Sequence, residues 1–275
     1  MNRLRMVFPL DIKGEERKII YIDRACSNPS AHDFNGNLQE ALTKVCNRFS
    51  FLLLEDNSDT WSHNLKRFTG QVKYQWQPAV SDFTIKENGP LFIQAESSWT
   101  CPACRIVLYV SKQDKDPGIR LGIQVDYHGK QELLKLCFRT GDKVKKYIAG
   151  CPGTHFERPI DGRELPLHDF VMLDSTALIS RDIYAIDSPA DDSGSFRMTL
   201  LRTPFYAHHT PYEVKENHHF PICEQGEFFF NLTLLENADL EAVQKEVQIQ
   251  SNTIVFSEST FGCSREYLLD PFKTN

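Results

Sequence analysis

The sequence predicts an all-β sandwich of antiparallel strands carrying one or two short helices, on three observations. Short runs rich in β-branched and aromatic residues recur along the chain; glycine, proline and polar clusters punctuate them; helical periodicity appears in only two places. In chain order, the first helix is predicted over Asn37–Cys46, where Leu38, Ala41, Leu42 and Val45 share one face and Asn37 with Glu40 resembles a capping box. Strands follow at Leu91–Glu96 and Arg105–Val110, each bounded by polar residues. The runs Ile119–Asp126 and Glu132–Phe138 flank Tyr127-His-Gly-Lys130, a pattern that predicts a hairpin. Asp187–Gly194 reads as a polar loop, and Glu227–Leu235 as a strand with alternate residues facing a core. A second helix is predicted over Asp239–Val247, capped by Asp239, with Leu240, Val243 and Val247 on one side; Ser251–Ser257 reads as the last strand.

The chain has 275 residues, enough to bury the core of one large β domain or two small ones. A net charge of −6 argues against a general binder of nucleic-acid backbones and is compatible with a neutral ligand such as a sugar. The first ten residues hold a short apolar stretch that Asp11 and Lys13 interrupt, so no secretion signal is read there. No apolar run approaches the roughly 20 residues that span a bilayer. A soluble, cytoplasmic protein with no membrane partner is the expectation. Eight cysteines spread over this length do not form the pattern of a disulfide scaffold. The tight pair Cys101-Pro-Ala-Cys104 needs two more ligands to make a zinc site; His208-His209 and His218-His219 are the available ones, and free thiols are the simpler reading.

Four blocks carry a resemblance to a known family. They are Leu54-Glu-Asp-Asn-Ser-Asp-Thr-Trp-Ser-His63, Val125-Asp-Tyr-His-Gly-Lys-Gln-Glu-Leu-Leu-Lys-Leu-Cys-Phe138, Phe156-Glu-Arg-Pro-Ile-Asp-Gly-Arg-Glu-Leu-Pro166 and Phe196-Arg-Met-Thr-Leu-Leu-Arg-Thr-Pro-Phe-Tyr-Ala-His208. In this order they resemble the carboxy-terminal β region of bacterial-type α-mannosidases of glycoside hydrolase family 38. Asn64 stands where that family usually has glycine. A fifth block, Glu224-Gln-Gly-Glu-Phe-Phe-Phe230, has Glu224 in place of an aspartate and Phe228 in place of a histidine. The resemblance implies a galactose-mutarotase-like supersandwich over residues 1–235, followed over 236–275 by a short helix and a final strand that fall short of the family's closing β segment.

It also implies a retaining, zinc-dependent parent enzyme whose metal ligands, including a His-x-Asp pair, and aspartate nucleophile lie in a separate α/β domain. This chain contains no His-x-Asp; His32-Asp33 and His168-Asp169 are adjacent pairs. The expectation is therefore no catalytic residue, no metal site and no cofactor in this chain, with zinc belonging to the catalytic domain, which is the implied partner together with mannosides or oligosaccharides. Candidate sugar-contacting residues are Asp59, Trp61 and His63, which combine a carboxylate, an aromatic face and an imidazole, and Arg202, Tyr206 and His208. Packing of Trp61 into the core and pairing of Arg202 at a strand end are the alternatives. Glu157-Arg158 reads as an ion pair on a β edge, and Asp126-Tyr127-His128 as turn chemistry. The leading functional expectation is an accessory β region that is inactive alone. A stand-alone carbohydrate-binding module, with a platform from Trp61, Tyr206 or Trp99, and a mutarotase-like epimerase using a histidine acid and glutamate base are the other two classes.

Overall fold

Alternating burial along the strands folds the chain into two layers of antiparallel sheet with their apolar faces together. The structure, a computed structural model, describes residues 38–62, 65–89, 91–141, 144–189, 194–207 and 221–251, and the backbone of 254–260 and 263–269. The elements are α1 (Leu38–Arg48), β1 (Phe49–Glu55), β2 (Val72–Trp76), β3 (Thr84–Asn88), β4 (Phe92–Cys101), β5 (Cys104–Gln113), β6 (Ile119–Tyr127) and β7 (Glu132–Arg139). They continue as β8 (Lys146–Cys151), β9 (Thr154–Pro159), β10 (Leu165–Pro166), β11 (Phe170–Leu173), β12 (Thr176–Ile179), β13 (Ala185–Asp187), β14 (Ser195–Arg202) and β15 (Gly226–Leu235). Helix α2 (Leu240–Ser251) and the strands β16 (Ile254–Thr260) and β17 (Cys263–Leu269) follow. One sheet has six strands in the order β10-β13-β14-β7-β1-β2, and the other nine, β3-β4-β5-β6-β15-β12-β11-β8-β9. This is the antiparallel supersandwich that the resemblance implies.

Between the sheets lies one continuous core. Phe51 and Leu53 of β1 and Leu134 and Leu136 of β7 meet Ile106, Leu108, Leu121, Ile123 and Val125 from the facing layer. Helix α1 contacts β5 in one sheet and β1 and β7 in the other, and its buried stripe of Ala41, Leu42 and Val45 joins that core. Helix α2 covers part of the outer face of the nine-stranded sheet: Val243 packs on Phe170, Ala177 and Ile179, while Val171, Leu173 and Leu178 point into the main core. Strands β11 and β12 are thus apolar on both faces. Arg120 on β6 ties α2 down through Glu246 (2.5 Å) and is itself held by Asp116 (2.7 Å). The Asp239 carboxylate caps α2 by accepting the Ala242 N–H at 2.8 Å.

Four expectations need correction. The two runs around Tyr127–Lys130 form strands but no hairpin: β6 pairs with β5 and β15, β7 with β14 and β1. The connection is an arch between the sheets, because inward residues of both runs reach one core from opposite sides. The strand at 91–96 continues to Cys101, and that at 105–110 spans Cys104–Gln113. Gln94, Glu96, Ser98 and Thr100 mark the wetter face of β4 rather than its end. Ser251 closes α2, and the final strand is β17 rather than 251–257. Asp187 belongs to β13 and is buried, not part of a polar loop. The predicted cap Asn37 and the first ten residues lie outside the described residues. Among the described residues no helix is long and apolar enough to cross a membrane.

Phe51 is fully buried and stacks on Trp76 with ring centroids 5.1 Å apart. Phe51→Ala is expected to lower the unfolding free energy by about 3–5 kcal/mol. Ile85→Ala, at an exposed position of β3, is expected to change it by less than about 0.5 kcal/mol. Urea titrations followed by tryptophan emission measure both, and equal losses would contradict the core described.

Candidate functional site

A one-residue bulge places the central cation of the site. Along β14, Phe196 and Met198 face the core while Arg197 and Thr199 face outward. The register with β7 then shifts between Thr199 and Leu201, so Leu200 and Leu201 both turn inward and Arg202 emerges on the outer face. There its guanidinium donates to Asp56 Oδ2 (2.8 Å), Ser58 Oγ (2.7 Å) and the Asp59 carbonyl (3.1 Å), and lies 4.6 Å from the Phe68 ring centroid. Its backbone N–H donates to Glu224 Oε2 at 2.8 Å. Asp59 bridges to Phe205, Thr60 N–H donates to the Phe205 carbonyl (2.9 Å), and Ala207 N–H donates to Thr60 Oγ1 (3.0 Å). The first and fourth sequence blocks are therefore laid side by side by main-chain pairing and one arginine.

Next to them, on β7, Lys135 has 0% exposure. Its ammonium donates to Asp187 Oδ2 (2.7 Å) and to Glu164 of the third block, while Arg197 also grips Asp187 (2.6 and 3.1 Å). Thr199 donates its hydroxyl to Glu164, and Phe68 covers Lys135 at 5.7 Å. The segment bearing Phe68 is fixed in turn, since Glu164 N–H donates to the Lys66 carbonyl at 3.0 Å. The second block joins through its arch. Gln131 N–H donates to the Thr203 carbonyl, Asp56 N–H to the Gln131 carbonyl (both 2.8 Å), and Tyr127 donates its hydroxyl to Glu132 Oε2 (2.8 Å). Burial, then the Glu132 carboxylate, push the Tyr127 phenol far above its usual pKa. A Cβ at Gly129 would lie 2.0 Å from Glu132 Oε2 and 2.6 Å from the Tyr127 hydroxyl, so a larger residue there would displace this pair.

A surface groove of about 310 Å³ opens beside Arg202, lined in part by Thr60, Asp182, Tyr184, Arg202, Cys223 and Glu224. Tyr184 is 62% exposed; Trp61 (58%) and Tyr206 (59%) lie on the two segments joined at this site. Asp182 Oδ2 accepts both the N–H and the side-chain amide of Asn231, at 2.8 and 3.1 Å. Carboxylates beside an aromatic face suit hydrogen bonding and stacking with a polyol. Of the predicted residues, the structure brings together Asp59, Trp61, Arg202 and Tyr206. His63 and His208, with the other histidines considered for zinc, lie outside the described residues. Trp61 does not pack in the core; the Asp59 carboxylate accepts its N–H at 3.0 Å. Trp99 is half-buried and stacks on Trp76 at 5.9 Å. Asp182 and Tyr184 were missed because no motif surrounds them. Glu157 and Arg158 do not pair with each other: Glu157 meets Lys146 (2.6 Å) and Arg158 donates to the Pro166 carbonyl (2.5 Å). On a strand, successive residues point to opposite faces. Among the described residues no three or more His, Cys, Asp or Glu are grouped to hold a metal ion.

Lys135→Met leaves Glu164 and Asp187 without their shared cation and is expected to cost about 3 kcal/mol or more near neutrality. Burial holds the Glu164 carboxyl above its ordinary pKa, against the pull of Lys135. The folded state thus binds that proton more tightly than the unfolded chain, so the group's contribution is greatest below the usual carboxylate range and declines as pH rises through the raised value. The Lys135→Met penalty is expected to shrink on acidification, as read by urea unfolding across pH; a penalty that grows would contradict the assignment.

A profile of the glycosyl hydrolases family 38 C-terminal domain matches residues 34–210, more than half of the chain and all four blocks that meet on this face. The fold is similar to that of an alpha-mannosidase from Enterococcus faecalis V583, at 15% identity and TM-score 0.56, over 74% of this chain and 27% of that chain. It is equally similar to a protein in glycosyl hydrolase family 38 from Enterococcus faecalis, at 15% identity and TM-score 0.56, over 74% of this chain and 28% of that one. The chain thus spans little more than a quarter of the length of either protein. No curated protein matches the sequence. The solved structures share the fold and the profile identifies the family: the chain belongs to the glycosyl hydrolases family 38 C-terminal domain family.

Proposed function

We propose that this chain forms the accessory β region of an α-mannosidase, seated against a zinc-bearing catalytic domain and helping to shape its glycan cleft. The observation that carries the reading is the family match over 34–210, whose four blocks converge in space around Arg202 and Lys135. These charged groups are committed to one another and to the backbone, so they hold the outer face of the six-stranded sheet rigid. Cleavage by a retaining glycosidase needs an attacking carboxylate and an acid set about 5 Å apart across the scissile bond. In this reading those groups belong to the catalytic domain. The isolated chain is expected to show no turnover of a chromogenic α-mannoside with added zinc; turnover above background would overturn it.

A second reading is favoured by the groove with its exposed Tyr184, and by the exposure of Trp61 and Tyr206 on the two segments joined at this site: direct binding of mannose-type sugars. Isothermal titration with mannose and α-mannobiose is expected to give weak binding in the millimolar range. Tyr184→Ala is expected to weaken it by about 3- to 10-fold, as the loss of one aromatic contact of about 1 kcal/mol implies. Titrations without heat at millimolar sugar would reject direct binding.

A further inference from the structure

Strands β4 and β5 meet in a two-residue turn, Pro102-Ala103, that places Cys101 and Cys104 directly opposite each other in the ladder. Their sulfurs are 3.6 Å apart. Residues facing across antiparallel strands have Cα atoms about 4.5–5.5 Å apart, and a disulfide spans about 4.4–6.8 Å, so bond formation needs side-chain rotation and no backbone movement. The turn is held: proline fixes one backbone angle, Ala103 is buried, and its carbonyl accepts the His128 N–H at 2.8 Å. The two thiols differ in access. Cys101 is partly exposed, whereas Cys104 is 3% exposed.

We propose that Cys101 and Cys104 form a redox-active dithiol that closes to a disulfide by exchange with a low-molecular-weight disulfide of the glutathione type. The Cys101 sulfur attacks one sulfur of the small disulfide, whose S–S bond breaks and releases one small thiol. Cys104 then gives up its proton and attacks the Cys101 sulfur, displacing the second small thiol. The dithiol loses two electrons and two protons, and the small disulfide gains them. The geometry assigns Cys101 as the entry thiol and Cys104 as the resolving one. Burial, and after it the neighbouring Cys101, push the Cys104 thiol up, and the second contribution lapses once the Cys101 sulfur is in a mixed disulfide. Among the described residues Cys46 and Cys137 have no cysteine facing them across a ladder, and burial pushes each thiol up to about 11.

The reduced full chain is equilibrated with mixtures of reduced and oxidised glutathione, alkylated with iodoacetamide and digested with trypsin. The peptide spanning residues 87–105 carries both thiols. Under oxidising mixtures it is expected to lose two hydrogens, resist alkylation and recover with dithiothreitol, while emission from Trp99, two residues before Cys101, falls in parallel. Cys104→Ser is expected to stop at a glutathione adduct on Cys101, and Cys101→Ser to leave Cys104 unmodified. Three results would overturn the proposal: both thiols alkylated under mixtures that load Cys104→Ser with glutathione, a glutathione adduct that persists in the unaltered chain, or zinc held in stoichiometric amount by the untreated protein and lost in Cys101→Ser.

Discussion

An ammonium group with no access to water has to be met on every side by acceptors, and Lys135 imposes that requirement on the outer face of the six-stranded sheet. Glu164 and Asp187 meet it, Arg197 balances the second carboxylate, and Phe68 excludes solvent above it. Each partner comes from a different stretch of chain: Glu164 from the turn before β10, Asp187 from β13, Arg197 from β14. Satisfying one cation therefore fixes three separate segments at once. Arg202 repeats the device one step away with Asp56, Ser58 and the Asp59 carbonyl, under the same phenylalanine. Buried ionic clusters of this kind add little net stability over apolar packing, and their value lies in allowing few alternative arrangements.

The residues that carried the family resemblance are the ones that meet in these clusters. Asp56 and Asp59 come from the first block, Tyr127, Glu132 and Lys135 from the second, Glu164 from the third, and Arg197, Thr199 and Arg202 from the fourth. Linear motifs far apart in sequence thus describe one surface. The groove next to it is only partly built from the blocks: Thr60 and Arg202 belong to them, whereas Tyr184 and Asp182 lie between blocks, in the connection from β12 to β13, and supply its aromatic wall and one carboxylate.

How much could be read from sequence follows from the range of the physics involved. Helix α1 was legible because the spacing of Leu38, Ala41, Leu42 and Val45 is a local property that needs no partner. Strands β1 to β3 and β8 to β14 were not named from sequence, whereas β4 to β7 and β15 were legible as strands. Their partners were not, because a turn flanked by two apolar runs describes an arch as well as a hairpin, and only a core shared between two layers separates the two. That core joins Ile123 of β6 to Leu134 of β7 from opposite sheets. Pairings such as Lys135 with Glu164 and Asp187 bridge tens of residues and leave no periodic trace. Arg202 and Asp59 were legible as candidates from chemistry and motif alone, whereas the mutual commitment of their groups depends on the fold.

The bulge in β14 has a bearing on how this chain tolerates change. With two leucines turned to the same side, the strand carries an odd number of residues where its partner carries an even one, and the parity of everything after Leu200 is inverted. Substitutions there alter volume; insertions or deletions alter which atoms see water. Residue count between Phe196 and Arg202 is the quantity that keeps a guanidinium out of the hydrocarbon interior.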